Sequence, residues 1–302
     1  MTPVASAQSP TPCAATAAAP CVEASRVVAH RQIAAGIFRI RLECPAIARQ
    51  AVPGQFAMLR IDGRVDPLLA RPLAVYDTFA AADDTIPRGL PAERRYADFV
   101  YAVHGRFTTA LQEIPPGALL SLCGPLGNGF LDVPRVPHLL LVAGGIGQTA
   151  LLSLGRERAA AGDRVTFCWG AGRSEALGDI DDFRHAGMDV HVATLDGSAG
   201  VRGTVIDLLE SRFPSATGGE PEIPVNPLHV ACCGPDRMMA AVGTWASARG
   251  LGCHVSLEAP MACGIGICFT CVARVRDAAG GWDYRRTCVE GPVFKATDIV
   301  WD

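Results

Sequence analysis

The chain has almost no lysine: of its 27 basic residues only Lys295 is one, and arginine supplies the rest. Arginine carries the same charge, so this scarcity is read as genome bias and excludes no partner. There is also no surplus of positive charge. The formal net charge is -3, which removes the electrostatic ground for a nucleic-acid partner. Long apolar runs are missing, and none approaches the ~20 residues needed to span a bilayer. The longest, at 138–143, is cut off by Gly144 and Gly145 and reads as a buried strand. The N-terminal stretch has neither a basic segment nor a sustained apolar one, which argues against a secretory signal. Residues 1–24 are instead rich in Ala, Pro, Thr and Ser, too few large apolar groups to offset the entropy of ordering them. They are expected to form a disordered tail, in which Cys13 and Cys21 have no assigned role. The expected compartment is the cytoplasm.

Cysteine is plentiful, with 12 in 302 residues, a length that suits two or three domains. From Ser25 to about Pro134, short apolar-rich runs alternate with turn signals such as Pro53-Gly54 and Asp62-Gly63. That rhythm predicts a small antiparallel β-barrel. From Val136 the texture changes. Continuous apolar strands (139–143, 164–169, 188–193, 228–232) alternate with helical patterns (148–161, 205–213, 236–249), which predicts a parallel sheet with right-handed crossovers. Residues 217–227 read as a Gly/Pro-rich loop, and 270–275 as one further strand. The expected domains are a barrel at 25–135, an α/β unit at 136–252 and a cysteine-bearing lobe at 253–302.

Four of the cysteines carry the strongest signal. Cys263 is followed by four residues and Cys268, then two and Cys271, then sixteen and Cys288. This is the plant-type ferredoxin order of thiolates, which holds a [2Fe–2S] cluster. Gly264 and Gly266 supply the tight backbone that wrapping a cluster requires, and their amides can point at its sulfurs. Met261, Ala262, Ile265, Ile267 and Phe269 would shield it from water. Zinc favours two CxxC-type pairs, which this spacing does not make. Disulfides are unusual in a cytoplasmic enzyme. Four unrelated buried cysteines would leave the interleaved glycines unexplained.

The other motifs are weaker taken singly. Gly144, Gly145 and Gly147 join a strand to a helix, where a dinucleotide phosphate can approach the backbone. The spacing is not GxGxxG, however, and such a turn also arises from packing alone. Cys233, Gly234 and Pro235 close a later strand at the same sheet edge; alone they read equally as an ordinary turn. Arg71 stands beside Pro72 and could chelate a diphosphate, or could be a solvated surface arginine. Gly105 and Thr108 offer a turn and a hydroxyl. The segment 124–130 (GPLGNGF) has three glycines in seven residues, more than a hairpin needs.

In this order the motifs resemble the ferredoxin–NADP reductase superfamily. Within it, segments 124–130, 261–271 (MACGIGICFTC) and 288–294 (CVEGPVF) resemble the electron-transfer subunit of class 1B dihydroorotate dehydrogenase. The resemblance covers everything beyond the tail. It implies FAD in the barrel, NAD on the α/β domain and the [2Fe–2S] cluster in the C-terminal lobe. Arg71, Pro72, Leu73 and Ala74 would line FAD, with Arg71, Gly105 and Thr108 at its diphosphate. Gly144, Gly145 and Gly147 would face the NAD phosphates, and Cys233, Gly234 and Pro235 the nicotinamide side.

Three departures stand out. Ala74 replaces the usual Ser or Thr that bonds the flavin N5, Phe107 replaces a glycine, and Gln148-Thr149-Ala150 replaces Ala-Ala-Pro. NAD is expected over NADP, because Arg173 is the only cation near the second strand's end, and Asp181 and Asp182 would repel a 2′-phosphate if they lay near it. The implied partner is a dihydroorotate dehydrogenase catalytic (FMN) subunit in a dimer of heterodimers. Electrons would pass from the partner's flavin through the cluster and FAD to NAD+ in pyrimidine biosynthesis. No strong general base is required, and no catalytic residue is assigned. Two other readings remain: a sister reductase subunit of a sulfhydrogenase or ferredoxin–NADP transhydrogenase, and a non-catalytic redox-sensing protein that keeps the cluster.

Overall fold

The structure, a computed structural model, describes residues 19–85, 90–214 and 228–301. The first sheet is built from β1 (Cys21–Ala34), β2 (Ile37–Glu43), β3 (Phe56–Arg60), β4 (Arg71–Ala74), β5 (Asp77–Phe79), β6 (Tyr96–Ala102) and β7 (Leu119–Leu126). All its pairings are antiparallel, in the order β4-β3-β7-β1-β2-β6-β5. Only Val75 and Tyr76 separate β4 from β5, so the two outer strands lie a dipeptide apart. The Val75 amide donates to the Gln55 carbonyl and that of Tyr76 to Asp98, bonds that curl the sheet into a half-barrel. Helices α1 (Pro45–Gln50) and α2 (Arg106–Leu111) join its strands, and Ile40, Leu42, Leu59, Phe99 and Leu122 fill its core.

The second sheet takes β8 (His138–Gly144), β9 (Arg164–Ala171), β10 (Asp189–Thr194), β11 (Val201–Arg202), β12 (Leu228–Cys233) and β13 (Gly252–Ser256), all parallel, in the order β11-β10-β9-β8-β12-β13. Helices α3 (Leu152–Ala160), α4 (Ile180–His185), α5 (Val205–Arg212) and α6 (Asp236–Ser247) make the crossovers. Both faces of β8 are covered: Leu140 and Val142 enter one core cluster, Leu139, Leu141 and Ala143 the other. A central parallel strand therefore reads as an unbroken apolar run.

The C-terminal lobe holds the hairpin of β14 (Val272–Arg276) and β15 (Trp282–Arg286). Its last strand, β16 (Val293–Lys295), leaves the lobe and pairs antiparallel with β13.

Three expectations need correction. Residues 21–24 are strand, paired with β7 from Cys21↔Gly124 onward, because a distant partner satisfies a backbone whose composition alone looks disordered. The 148–161 segment is not one helix: a 3-10 turn covers Gly145–Ala150 and α3 starts at Leu152. The cluster lobe is not closed off at 253 either, since β13 belongs to the parallel sheet and β16 returns to it. Residues 1–18 of the expected tail and the expected loop at 217–227 lie outside the described residues.

The half-barrel and the α/β unit meet through a buried ion network. Arg39 on β2 binds Asp98 on β6, and across the junction Asp179 (2.8 Å) and Asp182 (2.6 Å) at the start of α4. Burial alone would favour the neutral guanidine, but Asp98 and Asp182 outweigh it and hold Arg39 charged. Tyr76 donates to Asp182 from the barrel side.

Candidate functional site

The cluster loop connects β13 to β14, and its conformation follows from its glycines. Gly264 (φ 73°) and Gly266 (φ 83°) lie in the left-handed region, and a Cβ at Gly264 would meet the Met58 side chain, one at Gly266 the Val289 side chain at 2.6 Å. Phe269 adopts φ 56° without being glycine, a strained conformation at the centre of the loop.

The four predicted cysteines come together as two pairs. Cys263 lies close enough to Cys268 to perturb its thiol, Cys271 close enough to Cys288 to do the same, and Cys263 also acts electrostatically on Cys288. The Thr270 hydroxyl and amide donate to the Cys268 sulfur and, with Cys263, push its thiol down to about 6. Burial pushes Cys288 up to about 12, reinforced by Cys271, while the Gly266 amide donates to its sulfur. Amides aimed at sulfur are what a thiolate-held cluster needs. Among the described residues no three His, Cys, Asp or Glu side chains close around a single metal ion. A centre with two irons divides its thiolates two and two, and that is the division present.

The loop is pinned from several sides. Arg286 donates to the Gly266 carbonyl at 3.1 Å and lies over the Phe269 ring at 5.0 Å. Cys271, Cys288 and Met261 share one core cluster with Phe56, Met58 and Leu126 of the half-barrel, and Ala70 packs on it. The shielding apolar side chains divide: Met261 is buried, whereas Ile265, Ile267 (75% exposed) and Phe269 (59%) face solvent.

Sequence reasoning missed the role of segment 124–130. Asn128 donates from Nδ2 to the Val293 carbonyl (2.8 Å) and accepts the Val293 amide on Oδ1 (3.0 Å), and its own amide donates to the Gly291 carbonyl. A Cβ at Gly127 would strike Pro292 at 2.5 Å, and one at Gly129 the Pro53 carbonyl. The segment clasps the half-barrel to the chain leaving the cluster lobe. Its excess of glycine was the available signal.

At β4, Arg71 is exposed and lies 5.9 Å over the Phe107 ring, which brings it beside the Gly105–Thr108 turn. Gly105 (φ 80°) has open space where a Cβ would be. The Thr108 hydroxyl shapes the turn, accepting the His104 amide at 2.6 Å and donating to the Gly105 carbonyl. Pro72, Leu73 and Ala74 continue β4 along β3, and Ala74 also packs against the α/β core.

The two glycine turns of the parallel sheet touch one another. A Cβ at Gly147 would collide with the Cys233 carbonyl, one at Gly144 with Met238 and Pro235, and one at Gly234 would reach the Gly144 amide nitrogen at 2.9 Å. These three glycines thus serve loop packing. Gly145 (φ 53°) is the one facing open space. Cys233 is buried, which pushes its thiol well up, and Ser256 hydrogen-bonds it. Asp182 is engaged by Arg39 and Tyr76, and Asp181 by Arg184, so the expected repulsion of a 2′-phosphate by these carboxylates has no support. Arg173 instead lies 3.8 Å from Glu175.

Residues 258–300, which hold the whole cysteine loop, the β14–β15 hairpin and β16, match the family model of the iron–sulfur cluster binding domain of dihydroorotate dehydrogenase B. The chain is 33% identical over 280 residues to the dihydroorotate dehydrogenase B (NAD(+)), electron transfer subunit, of Geobacillus sp. (strain WCH70), covering 92% of this chain and 98% of that one.

The chain belongs to the dihydroorotate dehydrogenase B electron transfer subunit family.

The subunit of the same name from Desulforamulus reducens is 32% identical, over 92% of this chain and 98% of that relative. Among solved structures, a chain of an NADH-dependent reduced ferredoxin-NADP oxidoreductase is similar at TM-score 0.74 and 27% identity, covering 92% of this chain and 90% of that one. The ferredoxin reductase of carbazole 1,9a-dioxygenase shares the fold at TM-score 0.62, 18% identity, and coverage of 78% and 68%. Membership of this family makes the chain an oxidoreductase subunit, with a cluster domain built on a flavin- and nicotinamide-reductase fold.

Proposed function

We propose that this chain is the subunit through which a dihydroorotate dehydrogenase catalytic subunit delivers electrons to NAD+ in pyrimidine biosynthesis, using a [2Fe–2S] cluster and FAD. One observation carries the reading. Cys271 and Cys288 share a core with β3 and β7, and Ala70, which packs on that core, directly precedes Arg71. The cluster cysteines therefore share a core with β3, the strand to which β4 is hydrogen-bonded. When bound, the cluster passes single electrons while NAD takes pairs, and FAD converts between the two.

The chain's own residues bind, orient and exclude water. Cys263, Cys268, Cys271 and Cys288 would hold the cluster, with the Thr270 and Gly266 amides turned to the Cys268 and Cys288 sulfurs. Arg71, Gly105 and Thr108 hold the FAD diphosphate, and Pro72, Leu73 and Ala74 flank the flavin. Gly144, Gly145 and Gly147 receive NAD phosphates, Gly145 by open backbone and the other two by setting the turn. Cys233, Gly234 and Pro235 lie on the nicotinamide side.

No eightfold βα barrel is present among the described residues, so orotate chemistry resides on the FMN-bearing partner. Exposed Ile265, Ile267, Phe269 and Val289 beside the cluster cysteines form the apolar face that meets it, in a dimer of heterodimers. No helix among the described residues is long and apolar enough to cross a membrane. No cysteine among the described residues is paired in a disulfide, which fits the reducing cytoplasm.

Anaerobically purified chain should carry two irons and one FAD. Iron near zero, or zinc in its place, would overturn the cluster assignment, and failure to bind FAD would favour the redox-sensing alternative.

A further inference from the structure

Arg286 closes β15 and stands two residues before Cys288, and its strand partner Val272 directly follows Cys271. The hairpin register therefore sets the last two cluster cysteines side by side, fastened by the Thr287 amide and hydroxyl, which donate to the Cys271 carbonyl at 2.7 and 3.1 Å. From this point the Arg286 side chain reaches back over the cluster loop. Its Nη1 donates to the Gly266 carbonyl at 3.1 Å, and the Gly266 amide turns to the Cys288 sulfur, so Gly266 is held at both ends. The guanidinium also lies 5.0 Å over the ring of Phe269, the loop residue with a strained backbone.

On its other side the guanidinium is fixed by Glu290. That carboxylate accepts the Arg286 backbone amide at 2.9 Å and its Nε at 3.2 Å, and Arg285 adds a bond at 3.4 Å. A lone Arg–Glu pair at a surface constrains little. Here one planar fork joins a carboxylate, a loop carbonyl and an aromatic face, which a single ammonium could not do at once. The Arg286 side chain is 32% exposed, so solvent and salt screen its charge only in part. Reducing an iron–sulfur cluster adds negative charge, and its potential responds to nearby charge and to amides on its sulfurs. Arg286 supplies the first and steadies the second.

We propose that Arg286 is a positioning residue of the electron path: it steadies the Gly266 turn of the cluster loop and raises the cluster's potential by its charge, with Glu290 as the opposing charge. The inference rests on the cluster assignment and adds to it the residue that sets the cluster's potential.

The test is an anaerobic redox titration of the cluster's electron paramagnetic resonance signal, on the FAD- and cluster-loaded chain in complex with its catalytic subunit. Arg286→Gln should keep its iron and shift the midpoint to more negative potential, whereas Arg286→Lys, which retains the charge, should stay nearer wild type. Glu290→Gln can still accept the Arg286 amide but lacks the charge, so its midpoint should shift the opposite way, to more positive potential. Opposite shifts at full iron content report charge, because loosening the loop by either substitution would move both midpoints in one direction. If Arg286→Gln loses its iron, Glu290→Gln decides alone, and a positive shift upholds the proposal. A wild-type midpoint in Arg286→Gln, shifts of one sign in Arg286→Gln and Glu290→Gln, or no positive shift in Glu290→Gln when Arg286→Gln cannot be loaded would overturn it. Absence of iron from the wild type would instead overturn the cluster assignment, which iron analysis reads independently.

Discussion

Asn128→Ala removes the clasp between the half-barrel and the cluster lobe and nothing else of size. The side chain makes two bonds to the Val293 backbone, at 2.8 and 3.0 Å, and Val293 itself is buried. Alanine leaves a buried N–H and a buried C=O facing a small void. A lost bond is worth about 1 kcal/mol, and a stranded buried group costs roughly 1–3 kcal/mol, so the clasp should weaken by at least ~2 kcal/mol. That increases the population of the detached lobe roughly 30-fold. When opening and reclosing are fast, exposure of the cysteines to a chelator scales with that population. Anaerobic bleaching of the cluster absorption by an iron chelator should therefore run roughly 30-fold faster in Asn128→Ala. NADH reduction of ferricyanide should persist, because Asn128 touches neither β4 nor the glycine turns. Bleaching at the wild-type rate would refute the assignment of segment 124–130 as the clasp.

Phe269→Asp should weaken association with the catalytic subunit and leave the iron content unchanged, since the ring is 59% exposed and backs onto Arg286; equal co-purification of variant and wild type would exclude this face as the interface. The buried pair of His229 and His254, joined at 2.7 Å, gives a pH dependence. Burial, with His254 and Arg158 adding, pushes His229 down to about 4, so the folded state favours neutral imidazole. Its contribution to stability is complete above the unfolded pKa near 6.5 and is lost as pH falls from there toward 4. The urea midpoint of wild type should drop over that window, and His229→Gln should flatten the drop; parallel pH profiles would contradict it.

The cluster-binding domain was legible because its signal is local: three of the four proposed ligands and both glycines lie within nine residues, and thiolate geometry restricts the spacing. The alternation of strands and helices was legible for a similar reason, since the apolar run of β8 reports a strand covered on both faces. The features that stayed hidden depend on distant partners. Asn128 finds Val293, 165 residues away, and Cys21 finds Gly124, 103 residues away. No local pattern reveals that β16 would rejoin the parallel sheet. Gly144 and Gly147 suggest phosphate approach and Gly234 the nicotinamide side, but their tight contacts with one another emerge only when the two turns meet. Asp182 misled because charge in a sequence carries no direction, and its carboxylate turned to Arg39.

The most direct test of the electron path is anaerobic mixing of dihydroorotate with the assembled complex in the absence of NAD+, following FAD reduction in wild type and Cys268→Ser. The account predicts that dihydroorotate reduces FAD in wild type but not in Cys268→Ser, while NADH reduces FAD in both. Reduction by dihydroorotate at the wild-type rate in the variant, or loss of NADH reduction with FAD still bound, would contradict a path that runs through the cluster.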